Sequence, residues 1–151
     1  DMVAVATQDG GLRFWHTTDG HELAVLLAPV DSSPPIAPVV LMRFNRNGTR
    51  LTAVRRSGEL ESYDMTKFEK LSAVRGHHLA IQVVSAAVGD RYLATADASR
   101  NVRVWDTNNL ELVAAFRDEA TSELTSVAVD PTADFVAAGY QDSTINLWKR
   151  K

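Results

Sequence analysis

Four segments of this chain end in an aromatic ring and read alike: Asp9-Gly-Gly-Leu-Arg-Phe-Trp15, Ser57-Gly-Glu-Leu-Glu-Ser-Tyr63, Ser99-Arg-Asn-Val-Arg-Val-Trp105 and Asp142-Ser-Thr-Ile-Asn-Leu-Trp148. Each has a turn residue, then alternating apolar and polar positions, then the ring. The rings lie 48, 42 and 43 residues apart. One pattern repeated at that spacing constrains the fold strongly. A unit so short cannot bury its own apolar face, so neighbouring units must stack. The longer first interval has a visible cause, the stretch 29–38, which holds four of the five prolines.

Each unit also keeps one internal order. An apolar run comes first (39–44, 81–88, 124–129), then a turn rich in Asn, Gly, Asp or Pro, then a second run (51–54, 92–96, 135–138). The aromatic segment follows, and a last run closes the unit (22–27, 69–74, 111–116). Short runs bounded by turn residues are strand signals. No stretch of a dozen residues keeps a 3.6 period, so almost no helix is predicted. The Ala-rich patches at 85–88 and 136–139 suit the crowded inner part of a sheet. The units are read as 1–28, 39–75, 81–117 and 124–151, with the Pro-rich loop 29–38 after the first.

A period of about 40–45 residues with four strands per unit is the pattern of a β-propeller. The stretch from Gly76-His77 to Val102-Arg-Val-Trp-Asp106 resembles a complete WD-repeat, and the resemblance extends over essentially the whole chain. The expected fold is all-β: propeller blades of four-stranded antiparallel sheets, about 3.5 of them, forming a partial ring. With strands a to d counted from axis to rim, the chain supplies b, c, d, then two full sets, then a, b, c. A chain opening within the strand-like run 2–6 is expected to be cut from a longer one. The missing upstream blades of the same ring would then be its first partners.

The resemblance implies a buried chain of hydrogen bonds in each blade, through a His, a Ser or Thr, an Asp and the Trp. Carried over, the third unit offers His77, Thr95 and Trp105, with Ser99 where Asp is expected. The fourth offers Asp142 and Trp148, with Ala138 and Ala120 elsewhere. The first offers Asp9 and Trp15, with Val5 for the hydroxyl residue. The second has Tyr63, Ser57 and Ala53, with Pro35 at the His place. No unit holds the full set, so the blades are expected to rely on apolar packing.

The chemistry of a catalyst is sparse. There is no cysteine, which excludes disulfides, cysteine nucleophiles and cysteine zinc sites. Asp9-Gly10-Gly11 lacks the spacing and Lys of a phosphate-binding loop. No nucleophile elbow surrounds any serine. His16 and His21 could face each other near Glu22 as metal ligands, against the plainer reading of a solvated turn. Asn47-Gly48-Thr49 matches a glycosylation sequon and equally a hairpin turn. The innermost strands offer Arg43, Gln82 and Ser85, poor material for acid–base work. No cofactor or metal is expected, and no enzyme activity. The net charge of −3 lacks the basic surplus of a nucleic-acid binder. No apolar run reaches the roughly 18 residues of a membrane helix. Lys149-Arg-Lys151 is read as a solvated tail.

The resemblance implies a scaffold whose loop face binds a protein or peptide, not a specific nucleic acid or a membrane. The face positions it implies are Gln8, Ile36, Pro38, Arg56, His78, Ala80, Ala98, Thr121, Glu123 and Gln141. The rival expectation is the C-terminal sensory or regulatory propeller of a larger signalling enzyme, an ATPase or kinase. Without cysteines or a signal segment, a cytoplasmic location is expected.

Overall fold

A computed structural model of the chain describes residues 1–26, 36–87, 91–117 and 119–151. Most of the Pro-rich loop, with Pro35, and the turn at 89–90 lie outside the described residues. Among the described residues there are fourteen strands and no helix. They form four antiparallel sheets in chain order. The first holds β1 (Met2–Ala6), β2 (Leu12–His16) and β3 (Glu22–Leu26). The second holds β4 (Val39–Phe44), β5 (Arg50–Arg55), β6 (Glu59–Asp64) and β7 (Glu69–Arg75). The third holds β8 (Ile81–Ala86), β9 (Tyr92–Asp97), β10 (Asn101–Asp106) and β11 (Glu111–Arg117). The fourth holds β12 (Leu124–Val129), β13 (Phe135–Tyr140) and β14 (Ile145–Lys149). Within each sheet, strands adjacent in sequence are adjacent in space.

Alternation along the strands explains the stacking. Residues on a strand face opposite sides in turn, so each inner sheet offers one apolar row to each neighbour. Leu12 and Phe14 meet Leu51, Ala53 and Tyr63 between the first two sheets. Val54 and Leu60 meet Ile81, Leu93 and Trp105 between the second and third. Ala94, Val102 and Val104 meet Val127, Val136 and Ala138 between the third and fourth. Full burial of a side chain such as Phe14 or Leu12 is worth about 1.5–3 kcal/mol. Along the inner side β8 packs against β4 and β12.

The irregularities repeat as well. In the first three sheets the pairing of the last two strands slips just before the aromatic ring, at Phe14/Trp15, Ser62/Tyr63 and Val104/Trp105. In the last three sheets the pairing of the first two strands slips at Val39/Leu41, Ile81/Val83 and Leu124/Ser126. A bulge recurring at one place in successive units is a built-in bend that increases the local twist of those sheets.

Candidate functional site

The antiparallel order carries two kinds of loop to one end of the stack. These are the turns between second and third strands, and the connections that enter each innermost strand. All four turns close with the same bond: Gly10 N to Thr7 O at 3.0 Å, Gly58 N to Arg55 O at 3.0 Å, Arg100 N to Asp97 O at 2.9 Å and Ser143 N to Tyr140 O at 3.1 Å. The donor residue has φ of 84°, 94°, 61° and 68° in turn. This is the three-residue hairpin loop with one left-handed position. At Gly58 a Cβ would sit 2.4 Å from the His77 carbonyl oxygen. Glycine there lets the next unit's loop close onto the turn. Arg100 instead reaches across with its side chain and donates to the carbonyl oxygen of Ala120.

A second bond repeats across the face. Arg56 N donates to Pro38 O at 2.9 Å, Ala98 N to Ala80 O at 3.1 Å and Gln141 N to Glu123 O at 2.9 Å. Each joins a turn to the loop entering the same sheet. The fold thus brings six of the expected face positions together in pairs. Those six, with Gln8, His78 and Thr121, are exposed, and Ile36 is half-buried. Ile81 N also donates to Arg56 O at 2.9 Å, tying the third sheet to the second.

Beneath this face, the third sheet holds a complete buried hydrogen-bond chain. Trp105 Nε1 donates to Thr95 Oγ1 at 2.8 Å. Thr95 Oγ1 lies 2.7 Å from His77 Nε2, and His77 Nδ1 lies 2.9 Å from Asp97 Oδ2. The ionised Asp97 carboxylate only accepts, which calls the His77 proton to Nδ1, so the Thr95 hydroxyl accepts from the indole and donates to the bare His77 Nε2. A neutral His77 then carries its proton on Nδ1 and gives it to Asp97. Burial pushes the His77 pKa below its ordinary value, with the Asp97 hydrogen bond opposing only in part. Burial alone would raise the Asp97 pKa. Hydrogen bonds from the His77 ring, the Asn101 side chain and the Asn101 and Ser99 backbone outweigh it and bring it below the ordinary value. The acid of this chain is therefore Asp97, two residues before the expected Ser99. Ser99 is exposed and donates only its backbone N–H to Asp97, at 2.9 Å. The expectation that no unit holds the full set fails in the third unit. An Asp at the last strand position, reaching back under its own turn, was the signal passed over.

The second sheet meets the same need with charge. Glu61, 2% exposed, accepts on Oε2 from Arg55 Nε at 2.7 Å and from Tyr63 OH at 2.7 Å. Its other oxygen takes the ammonium of Lys70. Arg55 Nη1 donates to Gly10 O and Ala37 O, both at 3.0 Å. One buried guanidinium thus joins the first unit's turn to the loop entering the second sheet. This corrects the expectation of a sheet resting on apolar packing, and Arg55, Glu61 and Lys70 escaped the sequence reading. The sign is inverted between neighbours. Arg55 stands where Asp97 stands, and Glu61 where Arg103 stands; Arg103 donates to the carbonyl oxygen of Gly76.

The outer units differ again. Asp142 is exposed and orders only its own turn, accepting from Thr144 N at 3.0 Å and Thr144 Oγ1 at 2.7 Å. It joins no buried chain, contrary to the family pattern. Trp148 is half-buried and stacks on Phe116 with ring centroids 5.5 Å apart. Trp15 is half-buried. His16 and His21 share a backbone bond, His16 N to His21 O at 2.8 Å, and no group of three metal-ligating side chains forms among the described residues. An open groove of about 780 Å³ lies at the opposite end of the stack, with one carboxylate, Asp1, and one imidazole, His16, in its lining.

Sheets of this kind, stacked about their innermost strands, define a β-propeller segment. The chain belongs to the WD-repeat family: the WD domain, G-beta repeat, matches residues 68–106 and 110–149, more than half of the chain. It is 27% identical over 105 residues to Autophagy-related protein 16 of Arabidopsis thaliana, covering 68% of this chain and 21% of that protein. It is 23% identical over 147 residues to WD repeat-containing protein 90 of Xenopus tropicalis, covering 97% of this chain and 8% of that protein. The crystal structure of the RRP9 WD40 repeats superposes with a TM-score of 0.74 at 19% identity, over 99% of this chain and 44% of that one. The chain thus spans a small part of the relatives it matches.

Proposed function

We propose that this segment is an interaction scaffold whose loop face, from Gln8 to Gln141, receives a protein or peptide partner. WD-repeat folds generally serve as non-catalytic scaffolds. The observation that carries the reading is the repeated bond from Arg56, Ala98 and Gln141 to Pro38, Ala80 and Glu123. It fixes exposed side chains on the backbone, which in the second and third sheets is braced from below by a buried network. Side chains held on a rigid base lose little entropy on binding, which is how a surface gains affinity without a deep cavity. The flanking loops supply the variety.

Photo-crosslinking residues placed one at a time in the full-length protein test this. Positions 56 and 98 sample the loop face, and positions 47 and 67 the opposite end. Adducts with a common partner are expected from 56 and 98. Adducts confined to 47 and 67 would refute the assignment of the face.

A further inference from the structure

The free charge on this face is sorted by sign. From this we infer that the partner is an extended peptide segment carrying an acidic group at one end and a basic group at the other, laid across the second, third and fourth sheets. The inference rests on the docking face proposed above. Successive arginines show the cationic end being made. Arg55 is buried and spends its guanidinium on Glu61, Gly10 O and Ala37 O. Arg56 is exposed, and its side chain has no hydrogen bond or ion pair among the described residues. Its backbone is held at both ends, N–H to Pro38 O and carbonyl to Ile81 N, each 2.9 Å. Exposed His78 lies on the next loop and adds a second donor. The carboxylate of Glu61 is committed below, and half-buried Glu59 lies opposite Arg75 in the strand pairing.

The middle step of the face is Ala98 over Ala80, two methyl groups that leave a peptide backbone free to lie flat. The far step is Gln141 over Glu123, and here the sign reverses. Exposed Glu119 and Glu123 have no side-chain partner among the described residues, and exposed Asp142 sits beside Gln141. The one cation of this sector among the described residues, half-buried Arg100, is held on the Ala120 carbonyl oxygen and stands against three exposed carboxylates. A ligand of uniform charge would meet its own sign at one end. A segment with opposite ends is matched at both, and complementary placement of charge sets orientation more than raw affinity.

The test is selection of 12-residue peptides from a random displayed library on the protein, with the bound face located by amide shift perturbation. Binders on the loop face enriched in one acidic and one basic group, in one fixed order, are expected. Both Arg56→Glu and Glu123→Lys should weaken them roughly fivefold or more, and the double variant should prefer the reversed order. Unchanged Trp105 indole shifts certify that each variant is folded. Binders on the loop face without charge order would overturn this inference and leave the docking face standing. Binders elsewhere, or none, would overturn both.

Discussion

The second and third sheets are neighbours built to one plan, and they solve one problem with different chemistry. Each must pin a turn and an entering loop above its buried aromatic ring. The third does so with a directional chain, Trp105 to Thr95 to a neutral His77 to the Asp97 carboxylate, in which each proton has one place to go. The second does so with a buried ion pair, Arg55 to Glu61, that also grips the first unit. The same strand-end position is Thr7, Arg55, Asp97 and Tyr140 in the four units, and the hydroxyl of buried Tyr140 has no partner among the described residues. The repeat therefore conserves a place to be filled rather than a residue. What both inner sheets share is the face above, with Arg56 and Ala98 making the same bond.

The comparison breaks most visibly at Arg55. Arg55→Ala leaves buried Glu61 with only Lys70 and the Tyr63 hydroxyl and takes the donor from the Gly10 and Ala37 carbonyl oxygens, and should cost about 3–5 kcal/mol in urea unfolding. Arg55→Met with Glu61→Leu removes both charges and should recover more than half of that loss. In the third sheet, Trp105→Ala should cost about 3–5 kcal/mol, as for a large buried aromatic. Trp148→Ala, at a half-buried ring, should cost clearly less. Equal losses at the two tryptophans would show that the third sheet is no better anchored than the fourth. Thr95→Val leaves the Trp105 indole and His77 Nε2 unpaired and should cost about 1–3 kcal/mol, read the same way.

Acid should separate the two sheets. The folded state holds His77 neutral, with its pKa below the unfolded value of 6.5, so the unfolded chain binds the proton first. The stability tied to neutral His77 is full above that value and falls as the pH drops through it. Asp97 acts at lower pH: its folded pKa lies below 3.8, and its contribution is lost as pH falls from there through the folded value. The second network contains no histidine. Between pH 8 and 5, amide protection factors should drop in β8–β10 and hold in β5 and β6. A uniform drop would remove the distinction.

Much of this was legible in the sequence, because spacing and alternation are local. The fourteen strands, their grouping into sheets and the exposed loop positions follow from aromatic recurrence and turn residues. The buried networks were harder to read. Ser99 sits at the family's place for the acid, but a side chain two residues earlier reaches the same point in space. Arg55 and Glu61 look like ordinary alternating surface charges on neighbouring strands until the pairing register places them under one loop. Left-handed Arg100 and Ser143 carried no glycine to announce the turn. The smallest expected effect follows from that. Ser143→Gly should raise stability by about 1 kcal/mol by relieving the backbone of an exposed residue.

The central claim is that two unlike networks hold one face, and site-resolved amide exchange at Arg56, Ala98 and Gln141 tests it most directly. In the wild type all three N–H groups should be protected. Arg55→Lys should release Arg56 and leave Ala98 protected, while His77→Ala should release Ala98 and leave Arg56 protected. Exchange of all three at the rate of open loops in the wild type, or loss of Arg56 and Ala98 together in either variant, would contradict the account.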